Sequence, residues 1–588
     1  MDQAAQTRCP SILSPSSRSV SPPRGPGGLC RLLPGLLVPL VLLAAGCGPD
    51  GELWRGEADT AARAITPERL MAHVQALASD AFEGRQPGTR GEDLTVDYLE
   101  EQFREIGLEP GNPDGSYVQT VPLISYTPRP SARFQVAGET LEPSFPDQYV
   151  ARSRHFEPET VLEDSELVFV GYGVVAPEYD WDDYKGLELE GRTALVLVND
   201  PPVPHPDDPE RLDPDVFRGE AMTYYGRWTY KYEIGAELGA DAVIVIHETG
   251  PAGYPFDVIS GAFGGENFDV PAADVSDRLI TEAWVDEGTA RRIFDAAGHD
   301  FDELKARAAG RDFEPVVLDG TAEFRIETEL REIESRNVVA RLPGSDPELR
   351  DEHVIYTAHW DHFGVDDEGN VYNGAVDNAT GTSGLVEVGR AFATLSEPPP
   401  RSVLFLAVTA EENGLLGAHW YVENPLYPLE RTLAAINMDT MNPWGRTNDI
   451  EVIGYGSNTL EELVETEAAA QGRMVRPDAA PELGYYYRSD HFEFARVGVP
   501  ALYTKGGVDY LGQPESWGEE RWARWTAEDY HTPSDTIGDD WDLSGMTEDT
   551  RLLFRVGYRV ARAEEWPRWY EDSEFRAARE AMMDQASR

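Results

Sequence analysis

Residues 352–364 read EHVIYTAHWDHFG, a run of apolar and β-branched residues that stops at His359, Asp361 and His362. The texture recurs. RSVLFLAVTA (401–410) runs into EENGLLG with Glu411 and Glu412, LAAINM (433–438) ends at Asp439, and VPALYT (499–504) leads through a loop to YHTPSDT with His531. Between the runs lie segments of helical spacing, one carrying Leu385, Val388, Phe392 and Leu395. Apolar runs separated in this way predict strands buried on both faces of a largely parallel sheet. Functional groups in such sheets gather beyond the carboxyl ends of the strands. The four runs therefore deliver histidines and acids to one edge.

Asp377 sits among glycines, alanines and a threonine in GAVDNATG (374–381), at the opening of the helical segment. Alone, an Asp in a turn is a residue that bonds its own backbone, and paired glutamates suit a helix start. Their convergence changes the reading. Like charges brought this close need a compensating cation. Nitrogen and carboxylate ligands without sulfur fit zinc, with other divalent metals open. Sulfur is excluded because Cys9, Cys30 and Cys47, the three cysteines, all lie in the first 47 residues.

A chain of 588 residues exceeds what one hydrophobic core usually serves, and 41% hydrophobic content is that of a globular protein. Residues 60–130 begin with helical text, including RGEDLTVDYLEEQFREIGLEP (90–110) with Leu99, Phe103 and Ile106 on one stripe, preceded by the turn-rich GRQPGTRG (84–91). From 131 to 330 short strand-like runs such as ELVFVGYGVV, RTALVLVND and DAVIVIHE alternate with Pro, Gly and acidic loops, and one helix stands out near 230–239. That mixture predicts a separate inserted domain, β-rich α/β in character, with residues 331–588 forming the main part of the sheet-bearing domain. Net charge is −56, with lysine only at 185, 231, 305 and 505. A surface this acidic repels nucleic acid and has the composition of a salt-adapted chain.

Taken as a set, AHWDHFG, GAVDNATG, TAEENGLLGA, NMDTM, SDHFEFARVGVPA and YHTPSDT resemble, in order, the co-catalytic di-zinc aminopeptidases of metallopeptidase clan MH, relatives of glutamate carboxypeptidase and the transferrin receptor. The resemblance implies a three-layer α/β zinc exopeptidase fold of the phosphorylase/hydrolase-like kind, with a mostly parallel mixed sheet. The insert resembles a protease-associated domain. By resemblance, two zinc ions per chain are bridged by Asp377, one completed by His359 and Asp439, the other by Glu412 and His531. Asp361 would fix the ring of His359, Glu411 would be the general base, and Asp377–Asn378 is the candidate for a cis peptide. His491 would be pocket structure, and His362 and His419 lie outside the implied set. The implied function is release of N-terminal residues from peptides. A carboxypeptidase or dipeptidase like the glutamate enzymes is the alternative, although no arginine cluster is legible near the site. A single-zinc glutaminyl cyclase and a non-enzymatic receptor fit less well, because every ligand position holds a competent residue.

At the other end, Arg24 and Arg31 precede LLPGLLVPLVLLAAGC (32–47), too short and too rich in Pro and Gly to span a membrane well. Its close, LAAGC, resembles the lipobox of bacterial lipoproteins. That resemblance implies a signal peptide over 1–47, export, and a lipid anchor at Cys47 in the cell envelope.

Overall fold

The computed structural model describes residues 49–272, 275 and 278–587. The three cysteines, and with them the expected lipid attachment at Cys47, lie outside the described residues. The architecture belongs to the unit Leu53–Arg588. In chain order its principal strands are β1 (Val118–Val136), β2 (Tyr149–Arg152), β3 (Glu159–Phe169), β4 (Arg192–Leu197), β5 (Ala242–His247), β6 (Thr281–Asp286), β7 (Val316–Leu342) and β8 (His353–His359). These continue with β9 (Ser402–Val408), β10 (Thr432–Asn437), β11 (Asp449–Ile453), β12 (Met474–Pro477) and β13 (Ala501–Gly506). They form one sheet in the order β12-β11-β13-β10-β8-β9-β7-β3-β4-β5-β6-β2.

The centre of the sheet within residues 331–588 is parallel. β8 pairs in parallel with β9 on one side and β10 on the other, and β13 continues parallel to β10. The alternation of side chains on a strand splits each apolar run between two faces. Val354, Tyr356 and Ala358 of β8 join Val403, Phe405 and Ala407 of β9 in one core, while Ile355, Leu404, Leu406 and Val408 enter the other. Helices cover both faces: α1 (Pro67–Leu77), α2 (Arg90–Ile106), α3 (Trp228–Glu237), α4 (Phe256–Gly264), α5 (Glu287–Ala296), α6 (Phe301–Ala308), α7 (Gly381–Ala393), α8 (Leu416–Glu423), α9 (Leu460–Ala470), α10 (His491–Arg496), α11 (Trp517–Glu528) and α12 (Ser544–Val560). Helices α2, α7 and α12 line the first core, with the Phe392 and Phe554 rings 4.8 Å apart, and α8 and α10 line the second. This is the three-layer α/β arrangement with a mostly parallel mixed sheet.

The helical stripe in 90–110 is α2. Thr89 caps it by accepting from the Gly91 amide, Val96, Leu99 and Phe103 are buried, and Gly107 ends it in the left-handed region. The insert holds more helix than its texture predicts, with α4, α5 and α6 beside α3. Its helices are short, and α5 and α6 rest on the side-chain caps Asp286 and Asp300 in text that otherwise reads as acidic loop. The positions where the sequence texture changes, 130/131 and 330/331, both fall inside strands. β1 and β7 pair antiparallel without a break from Val136↔Gly320 to Val118↔Val338, so two continuous strands run from the catalytic sheet into the insert. The insert has its own core, built from β3 to β6 and the helices on them.

His353, the first residue of β8, is buried with neither ring nitrogen hydrogen-bonded among the described residues, its ring 4.5 Å from that of Tyr427. Burial, reinforced by the Arg341 charge, pushes its pKa down to about 4. The unfolded chain, with an ordinary histidine near 6.5, then binds a proton that the folded chain refuses. Its contribution to stability is present above about pH 6.5 and is lost as the pH falls toward 4, by about 2 kcal/mol between pH 7 and pH 5. His353→Phe is expected to flatten that part of the acid limb in urea titrations at pH 7, 6 and 5; identical pH slopes for variant and parent would refute the assignment.

Candidate metal centre

Every sequence-predicted ligand reaches one place. His359 ends β8, and its Nε2 lies 3.2 Å from Asp377 Oδ1 and 3.5 Å from Asp439 Oδ1. On the other side of Asp377, His531 Nε2 lies 3.3 Å from Oδ2 and 3.0 Å from Glu412 Oε2. Glu411 Oε2 is 3.9 Å from His359 Nε2. The two oxygens of Asp377 thus face two different histidines. His359 Nε2, Asp439 Oδ1 and His531 Nε2 are all buried without a hydrogen-bond partner. Orphaned lone pairs that converge at this spacing suit a cation, which would accept them all. His359, Asp377 and Asp439 form one group able to hold an ion, as do His359, Glu411 and Glu412, and also His362, Asp377 and Glu412.

The small residues around Asp377 have a steric reason. Gly374 has φ +53°, and a Cβ there would stand 2.3 Å from the Asp377 carbonyl oxygen. At Gly381 a Cβ would stand 2.2 Å from the Met438 carbonyl and 2.3 Å from Asn378 Oδ1. That Oδ1 accepts from the Gly381 and Thr440 amides, while Asn378 Nδ2 donates to Met438 O, which ties the turn to the strand end that carries Asp439. The Asp377–Asn378 peptide is cis.

Other side chains hold the ligands. Asp361 accepts from the amides of Glu411 at 3.1 Å and Glu412 at 3.4 Å; its backbone carbonyl is the hydrogen-bond partner of His359 Nδ1 at 3.3 Å, with its Oδ1 3.7 Å from the same nitrogen. Ser489 Oγ donates to Asp439 Oδ2 at 2.6 Å. Asp535 accepts from the Val376 and Asp377 amides and from Trp525 Nε1, which fixes the bridge residue's backbone. Arg85, from GRQPGTRG, is fully buried. It donates to four carbonyls, Trp360, Leu77, Asn373 and Gly374, and so joins the strand end after His359 to the turn before Asp377.

The electrostatics show what the site lacks. Burial raises the Glu411 carboxyl well above the usual range, and Asp439 and Asp490 reinforce the shift against His359. Asp490 is buried with both oxygens unpartnered, and burial raises it strongly too. Burial works against charge on His531, yet Glu412 and Asp377 outweigh it and lift its pKa to about 10. His362, outside the implied ligand set, proves to lie against the centre, with Nδ1 2.5 Å from Glu412 Oε1. His491 is buried edge-on to Tyr486, with burial pushing its pKa to about 3, and His419 pairs with Glu493 away from the site. A cavity of about 590 Å³, lined by Arg152, Trp228 and Glu282 of the insert, reaches Asn413 and Gly414 just beyond Glu412.

Comparison with known proteins agrees with this arrangement. Residues 337–554, which carry every ligand, match the profile of peptidase family M28. That segment is similar to peptidase family M28. Aminopeptidase YwaD of Bacillus subtilis is 29% identical over 189 residues, 31% of this chain and 36% of that one. Aminopeptidase NAALADL1 of Mus musculus is 38% identical over 111 residues, 18% of this chain and 13% of its own. A glutamate carboxypeptidase 2 homolog of Caenorhabditis elegans is 35% identical over 194 residues, 31% and 23% of the two chains. The matches span between about an eighth and about a third of these curated relatives. Among solved structures, an aminopeptidase from Aneurinibacillus sp. strain AM-1 shares the fold, with a TM-score of 0.51 and 18% identity over 87% of this chain and 97% of that one.

Arg85, Asp535, Ser489 and Asp490 hold this centre without having been named by the sequence analysis, although Ser489 and Asp490 stand in SDHFEF and Asp535 in YHTPSDT. Arg85→Met is expected to strand four carbonyls and the acids that Arg85 faces, costing about 3–5 kcal/mol in urea unfolding. Arg85→Lys should not restore it, because an ammonium lacks the planar fork. A loss under about 1 kcal/mol in either variant would show that the guanidinium does not hold the loops together.

Proposed function

We propose that the protein is a zinc-dependent aminopeptidase that removes N-terminal residues from peptides. The observation that carries the reading is the split of Asp377, one oxygen facing His359 and the other His531, with Asp439 and Glu412 completing two adjacent sets. His359, Asp377 and Asp439 would hold one zinc ion, and Asp377, Glu412 and His531 the second. When bound, such a pair would supply positive charge for the scissile carbonyl oxygen and would make a nearby water more acidic.

The chain's own groups do the rest. Glu411, buried beside the centre but outside both ligand sets, accepts the proton of the attacking water and returns it to the leaving amine nitrogen. Asp361 keeps the His359 ring in orientation and, through the two amides it accepts, aims both glutamates. The insert, read as a protease-associated domain, walls the site on the side of Asn413 and Gly414.

Zinc-reconstituted protein is expected to bind close to two zinc ions per chain and to hydrolyse aminoacyl anilides but not their N-blocked forms. Glu411→Gln should retain the metal and lose about 10²–10⁴ in rate, whereas Glu412→Ala should lose metal as well. Elemental analysis finding one ion or none, or normal turnover by Glu411→Gln, would overturn the assignment.

The reading extends to location: the lipobox-like LAAGC supports a chain exported and lipid-anchored at Cys47. Labelled fatty acid should enter the parent protein and not Cys47→Ala, and equal labelling would sink the anchor. No helix among the described residues is long and apolar enough to cross a membrane.

A further inference from the structure

The acids that end the two ligand sets are divided in the same way. Asp439 turns Oδ1 toward His359 Nε2 at 3.5 Å, and Ser489 Oγ donates to its Oδ2 at 2.6 Å. Glu412 turns Oε2 toward His531 Nε2 at 3.0 Å, and its Oε1 lies 2.5 Å from His362 Nδ1. A carboxylate whose other oxygen faces a cation only accepts, so the hydrogen of that bond sits on Nδ1 and His362 is the donor. The imidazole thus does for one set what the Ser489 hydroxyl does for the other.

The ring is built into that place. His362 is buried, and its Nε2 has no hydrogen-bond partner among the described residues, so Glu412 is the ring's one such partner there. A Cβ at Gly374 would stand 2.7 Å from His362 Cδ2, which sets the ring against the turn that carries Asp377. Phe363, the next residue, has its ring 5.0 Å from that of His362 and 4.7 Å from that of His531. Within four consecutive positions the end of β8 therefore supplies three services. His359 faces one ion, Asp361 holds the amides of Glu411 and Glu412, and His362 holds the Glu412 carboxylate.

The His362 bond decides how many oxygens Glu412 can offer. A carboxylate free at both oxygens can close on an ion with both, as large oxygen-seeking cations favour. One held at Oε1 offers a single oxygen. The second set is then Asp377 Oδ2, Glu412 Oε2 and His531 Nε2, three ligand atoms, the number that zinc uses where a position stays open.

We propose that His362 is the positioning residue of the second metal site, pinning Glu412 to one-oxygen ligation so that the site takes zinc with a position left open. This rests on the two-zinc reading.

The test measures zinc binding by the whole protein in competition with a chelator of known affinity, without turnover. His362→Phe keeps a ring and removes the donor, whereas His362→Asn gives up the ring and places an amide N–H near the position of Nδ1. The parent should bind two ions. In His362→Phe one binding step should weaken about 10–100-fold, the usual cost of losing a ligand's hydrogen-bond partner, and the other should stay as it was, because the bond touches the Glu412 set alone. His362→Asn should recover most of the loss. Should melting of the metal-free proteins show that His362→Phe has unfolded, His362→Asn against His362→Ala makes the same comparison. Two unaffected steps in the variant without a donor, equal weakening of both steps, or an Asn variant no better than that one overturns the proposal. A parent that binds one ion or none removes the two-zinc reading and this inference with it, whereas two ions in the parent and an unaffected donorless variant remove this inference alone.

Discussion

Repulsion among buried carboxylates is the constraint around which the catalytic half is built. Asp361, Asp377, Glu411, Glu412, Asp439, Asp490 and Asp535 meet at one sheet edge with three histidines and a single buried arginine among them. Such a cluster cannot stay ionised without positive charge nearby. The fold manages it in two ways. Backbone amides take both oxygens of Asp361 and of Asp535, and the Ser489 hydroxyl takes one oxygen of Asp439, which leaves the other Asp439 oxygen and the Nε2 atoms of His359 and His531 bare. The bare atoms define where cations belong, and the satisfied ones keep them aimed there.

The same economy explains the loops. Five strand ends and turns must deliver side chains to within 4 Å of one another, which leaves little room for backbone. Glycine at 374 and 381 gives that room, and Arg85 binds the surrounding carbonyls into one piece. Arg85 carries a charge of the sign the site needs, yet its four hydrogen bonds among the described residues go to carbonyls. It lowers the potential of the acids from behind without competing for their inward oxygens.

How much of this could be read beforehand follows from the range of the forces involved. The strands of the catalytic half were legible because a sheet covered on both faces demands unbroken apolar runs such as VIYTA and VLFLAV, a local property. His359, Asp377, Glu411, Glu412, Asp439 and His531 were legible because each follows such a run or opens the next helix. Arg85 looked like part of a turn, since its partners Trp360, Asn373 and Gly374 are hundreds of residues away. The continuity of the sheet was hidden as well, because long strands that change partners midway read as two textures.

That continuity has a mechanical consequence. An inserted domain joined by loose loops can swing on them, but here β1 and β7 cross together, hydrogen-bonded in register through the whole passage. Bending such a ribbon means straining many ladder bonds at once, whereas twisting about its long axis strains few. The insert is therefore a fixed wall with a torsional give, not a door.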